Sequence, residues 1–365
     1  MKRIARNPRR SSFVIGAMSA AFAVGMTAAA HAQSAAEFFR GKQMSMVIST
    51  GVGGGYDLMG RVVSRHLSKQ IPGNPTIVPK NMGGAGHVRA ANYMAHQAPT
   101  DGTTLATIGS TIAVNQVIDG TGVQYDAGQF NWIGTTQSAN INLYVWTKTG
   151  IKTIADAKIR QVVIGATGAG AGGEIYPVLI NNTLGTKFRV ISGYGTGSDI
   201  NLAMERGEVD GRAGNSFASL AVSNADWLRD KTITFLVQFG LAPEKGFEDV
   251  PNLIDLAQND TQRGIFKLYS SPSALGWPVT APPGVPAERV TQLRRAFDAM
   301  TKDPEFIAEA VKLHLSVAPV NGETLQKIVA DTVSTPPDII AAARIAIVAK
   351  DGATGSVGGN AGGQE

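Results

Sequence analysis

Past residue 32, short runs rich in β-branched and apolar residues alternate with longer stretches whose apolar positions recur at helical spacing. The pattern predicts strands at 44–50, 76–79, 103–109, 143–147, 161–166, 188–192, 208–213, 232–239 and 274–279. It predicts helices at 58–69, 87–96, 173–184, 199–206, 287–300, 304–315 and 325–333. Such alternation is that of an α/β chain with mostly parallel sheets flanked by helices. The strand–glycine–helix units fall into two pairs, one before about residue 135 and one between about 160 and 215. Each pair is half of a doubly wound domain, whose ligands sit at the carboxyl ends of the strands. Two similar lobes facing a cleft are therefore expected. Residues 33–136 would form the first part of lobe 1 and 137–239 lobe 2, with 240–350 returning to lobe 1 and adding carboxyl-terminal helices. The Gly-rich polar tail at 351–365 is expected to be disordered.

The first residues do not belong to that pattern. Lys2, Arg3, Arg6, Arg9 and Arg10 precede an apolar run from Phe13 to Ala30, and Ala30-His31-Ala32 gives an A-x-A cleavage site. This is an export signal, cleaved after Ala32, which places the mature chain in the periplasm. Arg9-Arg10 leaves open whether export is general or twin-arginine. The leader also explains the charge: it carries five of the 33 Lys and Arg and none of the 28 Asp and Glu, so 28 face 28 in the mature chain. A neutral balance gives no reason to expect a nucleic-acid partner. With no cysteine, disulfides, thiolate metal sites and lipid-modified cysteines are excluded. Stability must come from a core, which 43% hydrophobic residues can supply.

Four loops share one construction, glycines between a strand and a helix, at 51–55, 83–86, 168–173 and 193–197. Glycine lets successive N–H groups face one side, and the following helix adds the positive end of its dipole. The result is an anion site that needs no charged side chain. Any one loop is as readily a simple turn, but four at equivalent positions point to a ligand cleft. Gly168, Gly170 and Gly173 fit G-x-G-x-x-G, yet the next strand ends in Ile191-Ser192 where a nucleotide site needs an acid. Tyr56 occupies the third glycine's place after Gly51 and Gly53, and no G-x-x-x-x-G-K-[ST] occurs. Gly214-Asn215-Ser216-Phe217-Ala218 stops one residue short of a nucleophile elbow. His66 and His96 read as exposed helix positions and His87 as a helix cap, so no triad assembles. Histidines and carboxylates do not cluster at metal-ligand spacing. No catalytic residue, metal or cofactor is expected.

Several blocks together carry a family resemblance. They are Gly53-Gly54-Gly55-Tyr56-Asp57, the run Pro79-Lys80-Asn81-Met82-Gly83-Gly84-Ala85-Gly86, and Ala98-Pro99-Thr100-Asp101-Gly102-Thr103. The glycines from 165 to 173, Gly193-Tyr194-Gly195-Thr196-Gly197 and Gly207-Glu208-Val209-Asp210 continue the series to Asp303-Pro304-Glu305. In order and spacing the mature chain resembles the extracytoplasmic solute receptors of tripartite tricarboxylate transporters, the TctC or Bug proteins. The resemblance implies a two-lobed periplasmic-binding-protein (Venus flytrap) fold that closes on a small organic carboxylate and delivers it to membrane permease subunits. A monomer is expected. It also implies that the carboxylate is held by loop backbone, small hydroxyls and water.

Position by position, the resemblance assigns Gly54, Gly55 and Tyr56 to the first ligand loop and Gly84, Ala85 and Gly86 to the second. Thr167, Gly168 and Ala169, with Tyr194, fall to the other lobe. Tyr56 stands where a small hydroxyl is usual, Met82-Gly83 replaces Arg-Pro, His87 replaces glycine, and Gly195 follows Tyr194 in place of a basic residue. Those departures remove family partners for a tricarboxylate and add aromatic rings. Arg212, near a strand end, is then either a bidentate carboxylate ligand or the partner of Glu208. Asn215 and Ser216 follow as neutral donors, while Asp57 is expected to cap its helix. Two alternatives remain: a receptor signalling to a membrane sensor, and an exported esterase using Ser216.

Overall fold

The structure, a computed structural model, describes residues 35–53, 55–168, 171–350 and 352–356. The segment expected to be an export leader, Gly54 and Ala169 lie outside the described residues. After a short helix, α1 (Ala35–Phe39), lobe 1 begins with β1 (Gln43–Ile48), α2 (Gly55–Gln70), β2 (Thr76–Asn81), α3 (Val88–His96), β3 (Thr104–Thr107), α4 (Ile112–Ile118) and β4 (Asn131–Thr135). The chain crosses to lobe 2 for β5 (Ile141–Trp146), α5 (Ile154–Ile159), β6 (Val162–Ala166), α6 (Gly172–Leu184) and β7 (Phe188–Ser192). There it continues through α7 (Gly197–Arg206), β8 (Gly211–Ser216), α8 (Phe217–Ser223), α9 (Ala225–Arg229) and β9 (Ile233–Phe239). Helix α10 (Asp260–Leu275) leads to the return crossing. Then β10 (Pro278–Ala281), α11 (Ala287–Met300), α12 (Pro304–Lys312), β11 (Val320–Asn321) and α13 (Gly322–Val333) complete lobe 1. Finally α14 (Pro337–Ala346) and β12 (Thr354–Ser356) pack on lobe 2.

The two sheets run β11-β4-β10-β3-β1-β2 and β12-β7-β6-β8-β5-β9. Both are mixed. The strands that feed the glycine loops pair in parallel, as expected, through β2-β1-β3 and β12-β7-β6-β8. The strands reached straight from the other lobe, β10 and β5, run antiparallel to their neighbours. No helical crossover brings the chain back to the starting edge before either of them, so each enters from the opposite end. In lobe 1, Met44, Met46 and Ile48 of β1 face Val62, Val63, Leu67 and Phe297, while Val47 faces Ala90, Ala91, Met94 and Val329. That two-sided burial is what a central strand of a three-layer lobe requires. Lobe 2 repeats the arrangement, with Leu143, Ile164 and Phe239 on one face and Tyr144, Trp146 and Met204 on the other.

The sequence reading and the structure differ at identifiable places. Residues 253–269 supply Leu253, Phe266 and Leu268 to the core of lobe 2, so the chain returns to lobe 1 at Gly276 and not at 240. The strand expected at 274–279 begins only at Pro278, because α10 continues through Pro272. Proline there lacks the N–H that Leu268 O would accept, and the hydroxyl of Ser271 donates to that carbonyl at 2.9 Å instead. The strand expected at 208–213 lies at Gly211–Ser216, which moves Arg212 from a strand end to its second residue. In the tail, Thr354–Ser356 pairs with β7 as an edge strand where disorder was expected. His66 is buried, not exposed, and its Nε2 lies 2.6 Å from Glu309 of α12.

Candidate functional site

The first glycine loop is braced from within lobe 1. Asp57 accepts from Gly53 N at 2.9 Å, from Arg61 Nε at 3.0 Å and from Asn81 Nδ2 at 2.8 Å, and so holds the loop to the first turn of α2. Burial works to raise its pKa, but the bonds from Arg61, Asn81 and Gly53 outweigh it and hold the carboxyl at about 2. Tyr56, the departure from the family pattern, donates to Gly276 O and accepts from Ser110 N, both at 3.1 Å. Burial of that hydroxyl pushes its pKa up. Gly276 marks the return crossing at φ 56° and ψ −113°, a conformation that side chains rarely adopt. A Cβ there would stand 1.7 Å from Gln137 O, on the outgoing crossing. The outgoing and return crossings are thus in contact, and Tyr56 ties the first glycine loop to them.

In the second loop, Gly84, Ala85, Gly86 and His87 take φ values of 131°, 48°, 57° and 78° in succession. His87 caps α3, as its position suggests, but with its backbone alone. Its ring turns inward, Nδ1 lying 2.9 Å from Ser49 Oγ and the ring centroid 5.3 Å from that of Tyr56. Burial pushes its pKa below the usual imidazole value. In the third loop, Thr167 and Gly168 follow β6.

Lobe 2 contributes the charge. Arg212 donates from Nη1 to Gly197 O at 3.0 Å and to Asn201 Oδ1 at 2.9 Å. A Cβ on Gly197 would overlap its guanidinium at 2.2 Å, so the glycine of the fourth loop makes room for the arginine. Glu208 pairs with Arg206 at 3.8 Å and not with Arg212. Among the described residues, no salt bridge reaches Arg212, and its Nε is buried without a partner. The hydroxyl of Tyr144, directly across the strand pairing from Arg212, is likewise buried, beside Arg212 and Asn215. Its pKa is pushed up by burial, against the pull of the Arg212 charge. Among the described residues, the hydrogen-bond partners of the Arg212 guanidinium are neutral oxygens.

Arg212 opens on a cavity of about 730 Å³ between the lobes. The lobe 2 wall includes Ser198, Asn201, Arg212, Asn215 and Ser219 together with Ala218 and Ala221, and Gln137 of the crossing stands between the lobes. The lobe 1 wall is Trp277, Val311, His314, Leu315 and Ser316. Of the residues expected from sequence, Arg212 and Asn215 line this cavity. Gly55 and Tyr56 lie directly behind its Trp277: a Cβ on Gly55 would come 2.7 Å from that indole, and the Tyr56 ring centroid is 6.0 Å from it. Tyr194 leans on the Tyr144 and Trp227 cluster. Ser216 caps α8, its Oγ accepting from Ser219 N at 3.1 Å. Gln137, Asn201, Trp277 and His314 escaped the sequence reading. The one signal for Trp277 was an aromatic residue directly before a strand proline.

Comparison with known proteins agrees with this architecture. The family described as "Tripartite tricarboxylate transporter family receptor" (TctC) matches residues 59–345. A UPF0065 protein of Bordetella bronchiseptica is 26% identical over 300 residues, 80% of each chain. Among solved structures, a TctC solute binding protein from Polaromonas superposes with a TM-score of 0.65 at 17% identity, over 82% of this chain and 98% of that one. MatC from Rhodopseudomonas palustris with bound malate gives 0.53 at 18% identity, over 82% and 99%. The two mixed sheets, the repeated crossing between lobes and a family match over most of the chain lead to one conclusion: this chain belongs to the tripartite tricarboxylate transporter receptor family.

Proposed function

We propose that the protein is a periplasmic receptor that captures a small organic carboxylate between its lobes and delivers it to the permease subunits of a tripartite transporter. The observation that carries this reading is Arg212: a partly buried guanidinium with no acidic partner among the described residues, facing an interlobe cavity. Burying a cation without a counter-charge is costly, and a bidentate carboxylate removes that cost. Asn215 and Ser198 add neutral donors on the same wall. The fold neighbour with bound malate supports the same ligand class. Gly276 and Gln137, where the crossings touch, are the hinge about which the lobes close, and binding shifts the open and closed populations. The reading is tested by a thermal-shift screen of the protein from Gln33 onward, stripped of ligand by mild unfolding, against mono-, di- and tricarboxylates. An acid present at a hundred times its dissociation constant should stabilise by about 2.7 kcal/mol. Silence across the panel would remove the carboxylate reading.

A further inference from the structure

The two walls of the cavity differ in chemistry. Lobe 2 presents one guanidinium among amides, hydroxyls and the small side chains of Ala218 and Ala221, whereas lobe 1 presents the larger apolar Trp277, Val311 and Leu315, with His314 and Ser316 beside them. Among the described residues, no Lys or Arg of lobe 1 lines the cavity. One guanidinium satisfies one carboxylate. A second carboxylate on the same ligand would have to face the apolar wall, where an unpaired charge is costly. The lobe 1 wall therefore favours a ligand whose remainder is apolar.

Its shape follows from how Trp277 is held. Gly55 opens α2 with no side chain, and the indole occupies the space a Cβ would need, 2.7 Å away. Tyr56 lies behind it at 6.0 Å between centroids, and His87 backs Tyr56 at 5.3 Å. The Tyr56 hydroxyl is fixed at both Ser110 and Gly276. The other tryptophans, Trp132, Trp146 and Trp227, are buried in the cores. Trp277 is thus a braced aromatic side chain that borders the cavity and is available to an aromatic partner.

We infer, on the basis of the carboxylate reading above, that the cleft takes a carboxylic acid carrying a planar ring. The carboxylate meets Arg212 of lobe 2 and the ring lies on Trp277 of lobe 1, in preference to short aliphatic di- and tricarboxylates. A cavity of about 730 Å³ holds such a ligand. Because the acid and the ring engage opposite lobes, the ligand itself bridges the cleft and favours closure.

The test is a calorimetric and fluorescence titration of the ligand-stripped protein with benzoate, phenylacetate, cyclohexanecarboxylate, adipate and citrate. A ring acid should bind roughly 2- to 10-fold more tightly than its saturated analogue and should change the Trp277 emission. Trp277→Phe should abolish the emission change while keeping the ring preference. Trp277→Leu should lower ring-acid affinity to that of the saturated acid. Tighter binding of adipate or citrate, unaffected by Trp277→Leu but lost in Arg212→Gln, would overturn the ring inference and leave the carboxylate reading standing. Binding of no acid at all would overturn both.

Discussion

Asp57→Asn tests whether the first glycine loop is held by the carboxylate at the start of α2. The side chain is 5% exposed and accepts from Gly53, Arg61 and Asn81, so the bonds act with little solvent screening. Its carboxyl pKa of about 2, against an ordinary 3.8, corresponds to about 2 kcal/mol of stability. The folded value lies below the unfolded one. The contribution is therefore complete at neutral pH and is lost as pH falls through the window from about 4 to 2, with about half remaining near pH 3. Asparagine keeps the shape but not the charge. At pH 7 its melting temperature should fall by about 3 °C for a chain of this size, and the gap from wild type should narrow on acidification. Thermal unfolding followed by circular dichroism from pH 7 to pH 2.5 measures it. A gap that stays constant over that range would falsify the assignment of the stability to the ionised carboxylate.

Three further substitutions probe other links. Gly276→Ala places a Cβ 1.7 Å from Gln137 O at a positive φ, and should cost at least about 3 kcal/mol; a melting temperature unchanged from wild type would show that the crossings do not pack this tightly. Tyr56→Phe removes the bonds to Gly276 O and Ser110 N and should cost about 1–2 kcal/mol in urea unfolding, so an unperturbed midpoint would contradict the tie between the first glycine loop and the return crossing. Ser216→Ala removes the cap of α8 and should cost about 1 kcal/mol. Loss of an ester-hydrolysing activity in that variant would restore the esterase alternative.

The sequence was most legible where local chemistry decides structure. The strands at 188–192 and the helix at 287–300 coincide with β7 and α11 to the residue, since apolar periodicity and flanking glycine or proline agree there. The glycine loops were read from sequence as backbone anion sites, whereas at Gly197 the missing Cβ makes room for the Arg212 guanidinium. Other features depend on distant parts of the chain. Helix α10 was hidden because Ser270-Ser271-Pro272-Ser273 reads as a loop, and only burial against lobe 2 and the Ser271 hydroxyl make it helical. Strand β4 was missed because Asn131 and Gly134 interrupt its apolar pattern, and it is fixed by β10 and β11 on either side. His66 looked like a surface residue until Glu309, 243 positions away, closed over it. The lobe 1 wall of the cavity was illegible for the same reason: Trp277, Val311 and His314 reach the cleft only after the second crossing.

The central claim is that a carboxylate ligand is held by Arg212, and one titration addresses it most directly. The acid giving the largest thermal shift is titrated calorimetrically into the wild-type protein and into Arg212→Gln, a substitution that keeps a hydrogen-bond donor and removes the charge. Loss of a charge-assisted contact of this kind should weaken binding by about 1.5–3 kcal/mol, roughly tenfold or more. Equal affinity in the two proteins, with both folded, would contradict the claim and move the anion site away from Arg212.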